Sequence, residues 1–233
     1  MIKTIAFDAD DTLWTNEHLY LQYKDRFQQI LAAYAAPAQS IALLDKKEVE
    51  NIRWYGYGIK SFVLSMLETA IEITGGTVSP ADLSRIITIA RTMFSHEVEL
   101  FEDTRQTLET LHKHYPLILI TKGDTWEQHH KIHRAGIEHC FRAIEIVPEK
   151  NTETYRRLLE KHRIDPATFL MVGNSLRSDI LPVVEIGGSA VYIPRGSTWA
   201  HEHVPAEQRR HIRYTELETL ADLPAHLAAI THG

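Results

Sequence analysis

The sequence predicts an α/β fold in which a parallel sheet carries helices on both faces and an all-helical segment is inserted after the first strand. Short apolar runs, bounded by turn or charged residues, recur along the chain and are typical of strands buried on both faces. Helical patterns separate these runs in the second half of the chain. Strands that alternate with helices indicate a parallel, Rossmann-like sheet.

Five apolar runs are the predicted strands, and they cover residues 4–7, 117–120, 143–147, 169–172 and 190–193. The helices predicted beside them cover residues 104–114, 125–135, 152–162 and 178–185. Ligands of such sheets bind at the carboxyl ends of the strands. The polar residues directly after each run are therefore the candidates for a functional site.

About a hundred residues between the first and second predicted strands break this alternation. They contain four helical patterns, at residues 16–34, 38–51, 59–73 and 81–94. The last pattern begins with a serine cap residue, Ser79, and a first-turn proline, Pro80. We therefore expect an α/β core formed by residues 1–14 and 97–233 and a helical cap domain formed by residues 15–96.

Composition excludes several classes of protein. The 233 residues are 44% hydrophobic and 24% charged, as expected for a packed globular chain. The net charge of -6, with acids and bases interspersed, argues against a nucleic-acid binder. No apolar run approaches the roughly 20 residues of a membrane helix, and residues 1–7 reach an acidic cluster too soon for a signal peptide. With the single cysteine, Cys140, these features predict a cytoplasmic protein without a membrane partner.

Polar residues follow four of the predicted strands, in segments 8–12, 121–124, 148–150 and 173–179. As an ordered set they suit phosphoryl transfer. Asp8 can act as a carboxylate nucleophile, which splits hydrolysis into formation and breakdown of an acyl phosphate. Asp10 can protonate the leaving oxygen and then deprotonate the attacking water. The carboxylates therefore supply both roles that turnover requires.

An anionic phosphoryl group approaches Asp8 only if positive charge compensates. Lys150 and a bound cation can supply that charge, while Thr121 and the amides of Lys122 and Gly123 can donate to the phosphoryl oxygens. Oxygen ligands from Asp8 and Asp179 suit Mg²⁺ better than a soft metal. The predicted cofactor is therefore Mg²⁺.

These four segments resemble the signature motifs of the haloacid dehalogenase superfamily, and the helical insert resembles that family's inserted cap. The resemblance implies a phosphatase of small phosphorylated substrates, with Asp8 as nucleophile and Asp10 as acid/base. It also implies that Thr121 and Lys150 position the phosphoryl group. The metal ligands that it implies are Asp8, Asp179, the backbone carbonyl of Asp10 and, directly or through water, Asn174.

Two residues depart from the family pattern. Asp11 stands where the family usually has glycine, in a tight turn, and aspartate tolerates unusual backbone conformations better than most residues. Asn174 stands where the family usually has aspartate. Its amide oxygen can still ligate Mg²⁺ or hold a water ligand, but it brings no charge. Asp179 then carries the acidic share of the metal site.

Several alternatives remain open at this point. Residues 53–58 break the helical insert, either as a loop anchored by aromatic packing or as a substrate-facing edge in which Arg53 and Tyr57 select the substrate. A phosphotransferase or mutase would form the same aspartyl phosphate. A signalling receiver or a non-hydrolytic binding protein is the rival from another class. Dehalogenation is disfavoured by Asp10, because a halide leaving group needs no proton. The sequence names neither the substrate nor the oligomeric state.

Overall fold

A computed structural model describes residues 1–196, 199, 202, 204–205 and 212–232. Within these residues, a six-stranded sheet has the order β3-β2-β1-β4-β5-β6, and every pairing of neighbours is parallel. The strands are β1 (Thr4–Phe7), β2 (Leu117–Lys122), β3 (Ala143–Val147), β4 (Phe169–Gly173), β5 (Ser189–Tyr192) and β6 (Thr215–Glu216). The predicted parallel α/β fold is confirmed, and β6 is a strand that the sequence did not predict.

The helices follow the predicted order. They are α1 (Glu17–Leu31), α2 (Pro37–Tyr55), α3 (Ile59–Ile73), α4 (Pro80–Ser95), α5 (Thr104–Leu111), α6 (Thr125–Ala135), α7 (Thr152–His162), α8 (Leu181–Glu185) and α9 (Leu223–His232). Helix α9 was not predicted. None of the helices described is both long and apolar enough to cross a membrane.

Side chains of successive residues in the central strands pack into two separate apolar clusters. In β1, Ile5 and Phe7 join one core cluster, whereas Ala6 joins another. In the neighbouring β4, Leu170 and Met171 divide in the same way. Side chains of a strand alternate between its two faces, so both faces of this sheet are covered. The nearly continuous apolar runs of the sequence reflect this double burial.

The chain divides into two compact units. The first comprises Met1–Glu17, Val98–Lys122 and Gln128–Gly233, and it contains the sheet. The second comprises His18–Glu97 and the short segment Gly123–Glu127. This segment groups with the helical unit, although it follows β2 directly in the chain.

The second unit has an apolar core of its own, which includes Phe27, Leu44, Met66 and Ile86, each fully buried. Ser79 accepts a hydrogen bond from the Asp82 amide and caps α4 as its sequence predicts. The segment from Gly123 to Glu127 joins this unit through a buried carboxylate: Glu127 Oε2 accepts from the Ile59 amide at 2.8 Å, at the first residue of α3. A helix N-terminus stabilises such an anion.

Helix α2 is longer than the sequence indicated. The predicted break at residues 53–58 is wrong for its first half, because Arg53, Trp54 and Tyr55 form the last turn of α2. The helix ends at Gly56, whose φ is 69°. Aromatic residues do not stop a helix by themselves, whereas a left-handed glycine does. The true break is Gly56–Gly58.

The predicted helix at residues 178–185 begins instead with a wide turn, Leu176–Ile180, of the π type. In it the Ser175 carbonyl accepts from the Asp179 and Ile180 amides, at 2.8 and 3.3 Å. Helix α8 follows, and its second residue is Pro182, which has no N–H to donate to the Ser178 carbonyl. The Tyr155 hydroxyl donates to that carbonyl at 3.0 Å. The buried acceptor is therefore satisfied without a regular helix.

Candidate active site

Asp8 directly continues β1. Its amide donates to the Val172 carbonyl of β4 at 2.9 Å, so the ladder extends to the residue that carries the carboxylate. The side chain is nearly buried, with 10% exposed. Its Oδ1 accepts from the Lys150 ammonium, and its Oδ2 accepts from the Thr12 hydroxyl at 2.9 Å. The carboxylate is thus held at both oxygens.

Lys150 lies between two carboxylates. Besides Asp8, its Nζ donates to Asp179 Oδ1 at 2.8 Å, and both side chains are 1% exposed. Burial lowers the pKa of Lys150, but the charges of Asp179 and Asp8 outweigh it and raise the pKa above its ordinary range. Burial raises the pKa of Asp179, which the Lys150 ammonium only partly offsets. The cluster of Asp8, Asp179 and Lys150 therefore contains two carboxyl groups and one ammonium group.

The last residue of β4, Gly173, leaves the space that the Asp179 side chain fills. A Cβ atom at position 173 would lie 2.2 Å from Asp179 Oδ2 and 2.6 Å from its Cβ. The Asp179 carboxylate also accepts from the Ser175 amide at 3.0 Å. Glycine is therefore required here for close approach rather than for backbone freedom.

Asp10 is surrounded by nitrogen donors. Its Oδ1 accepts from Trp14 Nε1 and from Lys131 Nζ, both at 2.7 Å. Its Oδ2 accepts from Gln128 Nε2 and from Lys131 Nζ, both at 2.8 Å. Burial raises the pKa of Asp10, but the Lys131 ammonium and these hydrogen bonds outweigh it, and the pKa lies below its ordinary value. Sequence reasoning missed Lys131 and Gln128, although they share a face of α6 at a spacing of three residues.

Asp11 adopts the left-handed conformation that a glycine would take, with φ at 59°. Its carboxylate accepts from the amides of Asn16 and Glu17 at 2.9 and 3.0 Å, where α1 begins. Burial raises the pKa of Asp11 to about 6. Arg195 Nε donates to the Asp11 carbonyl at 3.0 Å. Asp11, which stands where the family usually has glycine, therefore caps the start of α1 with its carboxylate. A glycine has no side chain and could not do so.

Asn174 shares a donor with Asp8. Its Oδ1 lies 3.2 Å from the Thr12 hydroxyl, which also donates to Asp8. Since a hydroxyl has one hydrogen, the two acceptors compete for it. The Asn174 amide is thus next to the predicted nucleophile, as the motif order implies.

The predicted phosphate-binding residues lie at the end of β2. Thr121 is 1% exposed and pairs with Ile146 of β3, and Gly123 follows two residues later with φ at 144°. Lys122 Nζ donates to Ser178 Oγ at 3.0 Å and contacts the Glu202 carboxylate. The pKa of Glu202 is lowered to about 2, because the charge of Lys122 and hydrogen bonds outweigh burial. No motif in the sequence pointed to Glu202.

The two predicted specificity residues belong to the second unit. Arg53 is exposed, and its guanidinium lies over the Trp54 ring at 4.9 Å from the centroid. Tyr57 is half-buried within the Gly56–Gly58 break. These positions agree with both interpretations of residues 53–58, a loop anchored by aromatic packing and a substrate-facing edge.

The donor set of the site fits a hard divalent cation. In the described part of the chain, no group of three or more histidine, cysteine or acidic residues could hold a metal. Asp8 and Asp179 supply two carboxylates, and Asn174 supplies an amide oxygen, so every side-chain donor is oxygen. Mg²⁺ is commonly bound through one or two carboxylates and keeps several waters. The all-oxygen set fits Mg²⁺ and lacks the nitrogen and sulfur ligands that are common at zinc sites.

Comparison with known proteins gives consistent matches. A family model described as haloacid dehalogenase-like hydrolase matches residues 2–187. The chain is 28% identical over 217 residues to a glyceraldehyde 3-phosphate phosphatase of Methanothermobacter thermautotrophicus, over 88% of this chain and 91% of that protein. It is 25% identical over 216 residues to a phosphoglycolate phosphatase of Vibrio vulnificus, over 87% and 86% of the two chains.

A solved structure is also similar. A haloacid dehalogenase-like family hydrolase from Xanthomonas campestris superposes with a TM-score of 0.86 at 36% sequence identity. The match covers 98% of this chain and 91% of that one.

Proposed function

Because the chain belongs to the haloacid dehalogenase-like hydrolases, we propose that it is a Mg²⁺-dependent phosphatase that acts through a phosphoaspartate on Asp8. The family and the hydrolase class that the four motifs predicted are confirmed by the match over residues 2–187. Matched relatives are phosphatases, which supports phosphate esters as the substrates. The catalytic residues, the intermediate and the metal are parts of the proposal.

The observation that carries the proposal is the setting of Asp8. Its carboxylate lies at the end of a central strand, between the Lys150 ammonium and the Thr12 hydroxyl. Lys150 offsets the repulsion between Asp8 and an incoming phosphate. Asp10 lies two residues away on the same loop. A nucleophile, a cation and an acid/base candidate thus occur at the carboxyl edge of the sheet.

The proposed reaction has two halves. An Asp8 oxygen attacks phosphorus, the bond from phosphorus to the ester oxygen breaks, and Asp10 gives its proton to the departing oxygen. Asp10 then takes a proton from water, and the water oxygen attacks phosphorus. The bond from phosphorus to the Asp8 oxygen breaks, inorganic phosphate leaves, and the Asp8 carboxylate is regenerated. Asp10 keeps the proton that it donates in the next turnover. Thr121, Lys150 and the amides of Lys122 and Gly123 are proposed to orient the phosphoryl oxygens.

The residues proposed to hold Mg²⁺ are Asp8, Asp179, the Asp10 carbonyl and Asn174, directly or through water. The cation would neutralise phosphoryl charge near Asp8. Asp179 is positioned for this role by Lys150 and the Ser175 amide. Its lone-pair capacity exceeds those two hydrogen bonds, since a carboxylate has about four acceptor sites.

Residues 15–96 are proposed to form a cap that selects the substrate, with Arg53 and Tyr57 as determinants. Glyceraldehyde 3-phosphate and phosphoglycolate, the substrates that the relatives' names give, are short organic phosphates and head the proposed substrate class. Arg53→Ala and Tyr57→Ala should weaken hydrolysis of the preferred metabolite more than that of para-nitrophenyl phosphate. Equal losses on both would assign this segment to folding instead.

The decisive experiment replaces the nucleophile. Phosphate release from a panel of phosphorylated metabolites is measured with Mg²⁺ for the wild type, for Asp8→Asn and for Asp25→Asn, an exposed control. We expect Asp8→Asn to lose at least about 10²-fold in turnover while the control is unchanged. Mass spectrometry of the quenched wild type should find the phosphoryl group on Asp8. Full turnover by Asp8→Asn would refute the covalent mechanism.

A further inference from the structure

Asp10 is held by more donors than a turn residue needs. Each carboxylate oxygen accepts one hydrogen bond from a neutral donor, Trp14 or Gln128, and one from the Lys131 ammonium, all at 2.7–2.8 Å. Lys131 therefore spans the carboxylate and contacts both oxygens, whereas each neutral donor contacts one. Of these three side chains, Lys131 alone constrains both oxygens of the carboxylate at once.

The two neutral donors are rigid. Trp14 is 1% exposed and belongs to the apolar core of the first unit. Gln128 is 2% exposed, and its Nε2 also lies 3.2 Å from the Lys122 carbonyl at the end of β2. Neither can move without repacking its surroundings. Lys131, by contrast, reaches Asp10 through a flexible side chain that is 14% exposed.

Protonation of a leaving oxygen requires one of these contacts to give way. The donor atoms are Trp14 Nε1, Gln128 Nε2 and Lys131 Nζ, and none of these nitrogens can accept a hydrogen bond from Asp10. Lys131 is the contact that can yield without disturbing the core, and it can re-form once the proton has been transferred. The fixed donors then keep the carboxylate near the position that Lys131 set.

We propose that Lys131 is a positioning residue for the acid/base step, in that it orients the Asp10 carboxylate toward the leaving oxygen. The inference rests on the proposed function, since it takes Asp10 as the general acid. It assigns to α6 a catalytic support that none of the four motifs contains. General acid–base catalysis as a whole contributes about 10²–10⁴-fold, and loss of a contact that positions the acid should remove part of that factor.

The test uses leaving groups that differ in their need for a proton. The value of kcat/KM for para-nitrophenyl phosphate and for phenyl phosphate reports formation of the phosphoaspartate, and the poorer phenolate leaving group depends more on the acid. We expect Lys131→Met to lower kcat/KM for phenyl phosphate by about 10-fold or more and for para-nitrophenyl phosphate by less than about threefold. Lys131→Arg should restore most of the loss, because a guanidinium can donate to both carboxylate oxygens.

Control variants distinguish a positioning role of Lys131 from the proposed role of Asp10 as general acid. Lys161→Met changes an exposed lysine that pairs with Glu145, and it should leave both substrates unaffected. Lys131→Gln is measured as well, so that a folding defect of the Met variant does not decide the outcome. On an Asp10→Asn background, Lys131→Met should add no further discrimination between the substrates.

Three results are informative. Equal losses on both substrates for Lys131→Met and Lys131→Gln would overturn the inference and make Lys131 a structural residue. A selective loss for Asp10→Asn without one for Lys131→Met would overturn it too, and the proposed function would stand. Absence of a selective loss in Asp10→Asn itself would remove Asp10 from the proposed mechanism, and the inference about Lys131 would be overturned with it.

Discussion

Replacement of Gly173 by alanine offers a sharp test of the site geometry. A Cβ atom there would lie 2.2, 2.4 and 2.6 Å from Oδ2, Cγ and Cβ of Asp179. Since all three atoms belong to one buried side chain, a small rotation cannot relieve the overlap. Asp179 must leave its place, and Lys150 and the Ser175 amide then each lose a partner.

The size of the effect follows from those two contacts. A hydrogen bond to a charged group contributes about 1.5–3 kcal/mol, and removal of one partner of a buried ion pair typically costs about 3–5 kcal/mol. We expect Gly173→Ala to lower the free energy of unfolding by about 3–5 kcal/mol. Mg²⁺-dependent turnover should fall by about 10²-fold or more, because Asp179 is both displaced and unpaired.

Urea unfolding and a Mg²⁺ titration of phosphate release measure the two quantities. Gly196→Ala is the matched control, because no atom lies within 4 Å of the added methyl group, and it should change stability by less than about 0.5 kcal/mol. If Gly173→Ala matches this control in both assays, Asp179 does not occupy the space above Gly173 and the reasoning fails.

Three further predictions concern particular contacts. Asp11→Ala should be about 1–2 kcal/mol less stable than Asp11→Gly in urea unfolding, because both lose the cap at Asn16 and Glu17 but only alanine is strained at φ 59°; equal stabilities would contradict it. Ser79→Ala should cost about 0.5–2 kcal/mol through loss of the α4 cap, with no change in turnover. Burial raises the pKa of Glu145, but hydrogen bonds from Lys161 and His162 outweigh it and hold the pKa below its ordinary value. Glu145 thus stabilises the fold above the ordinary glutamate pKa of about 4.3, and this contribution is lost as pH falls through the lower folded-state pKa. The Tm difference between wild type and Glu145→Gln should therefore be larger at neutral pH than below about pH 4; a pH-independent difference would refute the ion pair's contribution.

Local pattern was enough to predict five of the six described strands. Strands β1 and β3 have the predicted bounds. In β1, whose four residues are all buried, the apolar run ends where its polar neighbours begin. Asp8 follows β1, Lys150 follows β3 and Asp179 follows β4, and the shared carboxyl edge of these parallel strands brings the three residues together. Lys150 forms ion pairs with Asp8 and Asp179, which belong to two of the other polar segments that the sequence predicts at this edge.

Long-range partners could not be predicted in the same way. Lys131 meets Asp10 across 121 positions of sequence, and nothing in the pattern of α6 distinguishes it from the solvent-facing residues of that helix. Glu202 reaches Lys122 from a part of the chain that has no motif. The sequence predicts the end of α2 too early, because Gly56 with its positive φ stops the helix and the aromatic residues before it do not. Tertiary contact, rather than propensity, decided these features.

The wide turn at Leu176–Ile180 sets the orientation of two side chains, Asp179 in the turn and Val183 in the helix that follows it. Asp179 has to face its own N-terminal neighbour, Ser175, while Val183 of α8 has to be buried among the apolar residues of the sheet. In a regular α-helix each residue is rotated about 100° from the last, which fixes the angle between those two side chains. The extra residue of a π turn changes that angle. Deletion of one residue from this turn would therefore misalign either the Asp179 carboxylate or the buried face of α8, even with every side chain that contacts the site retained.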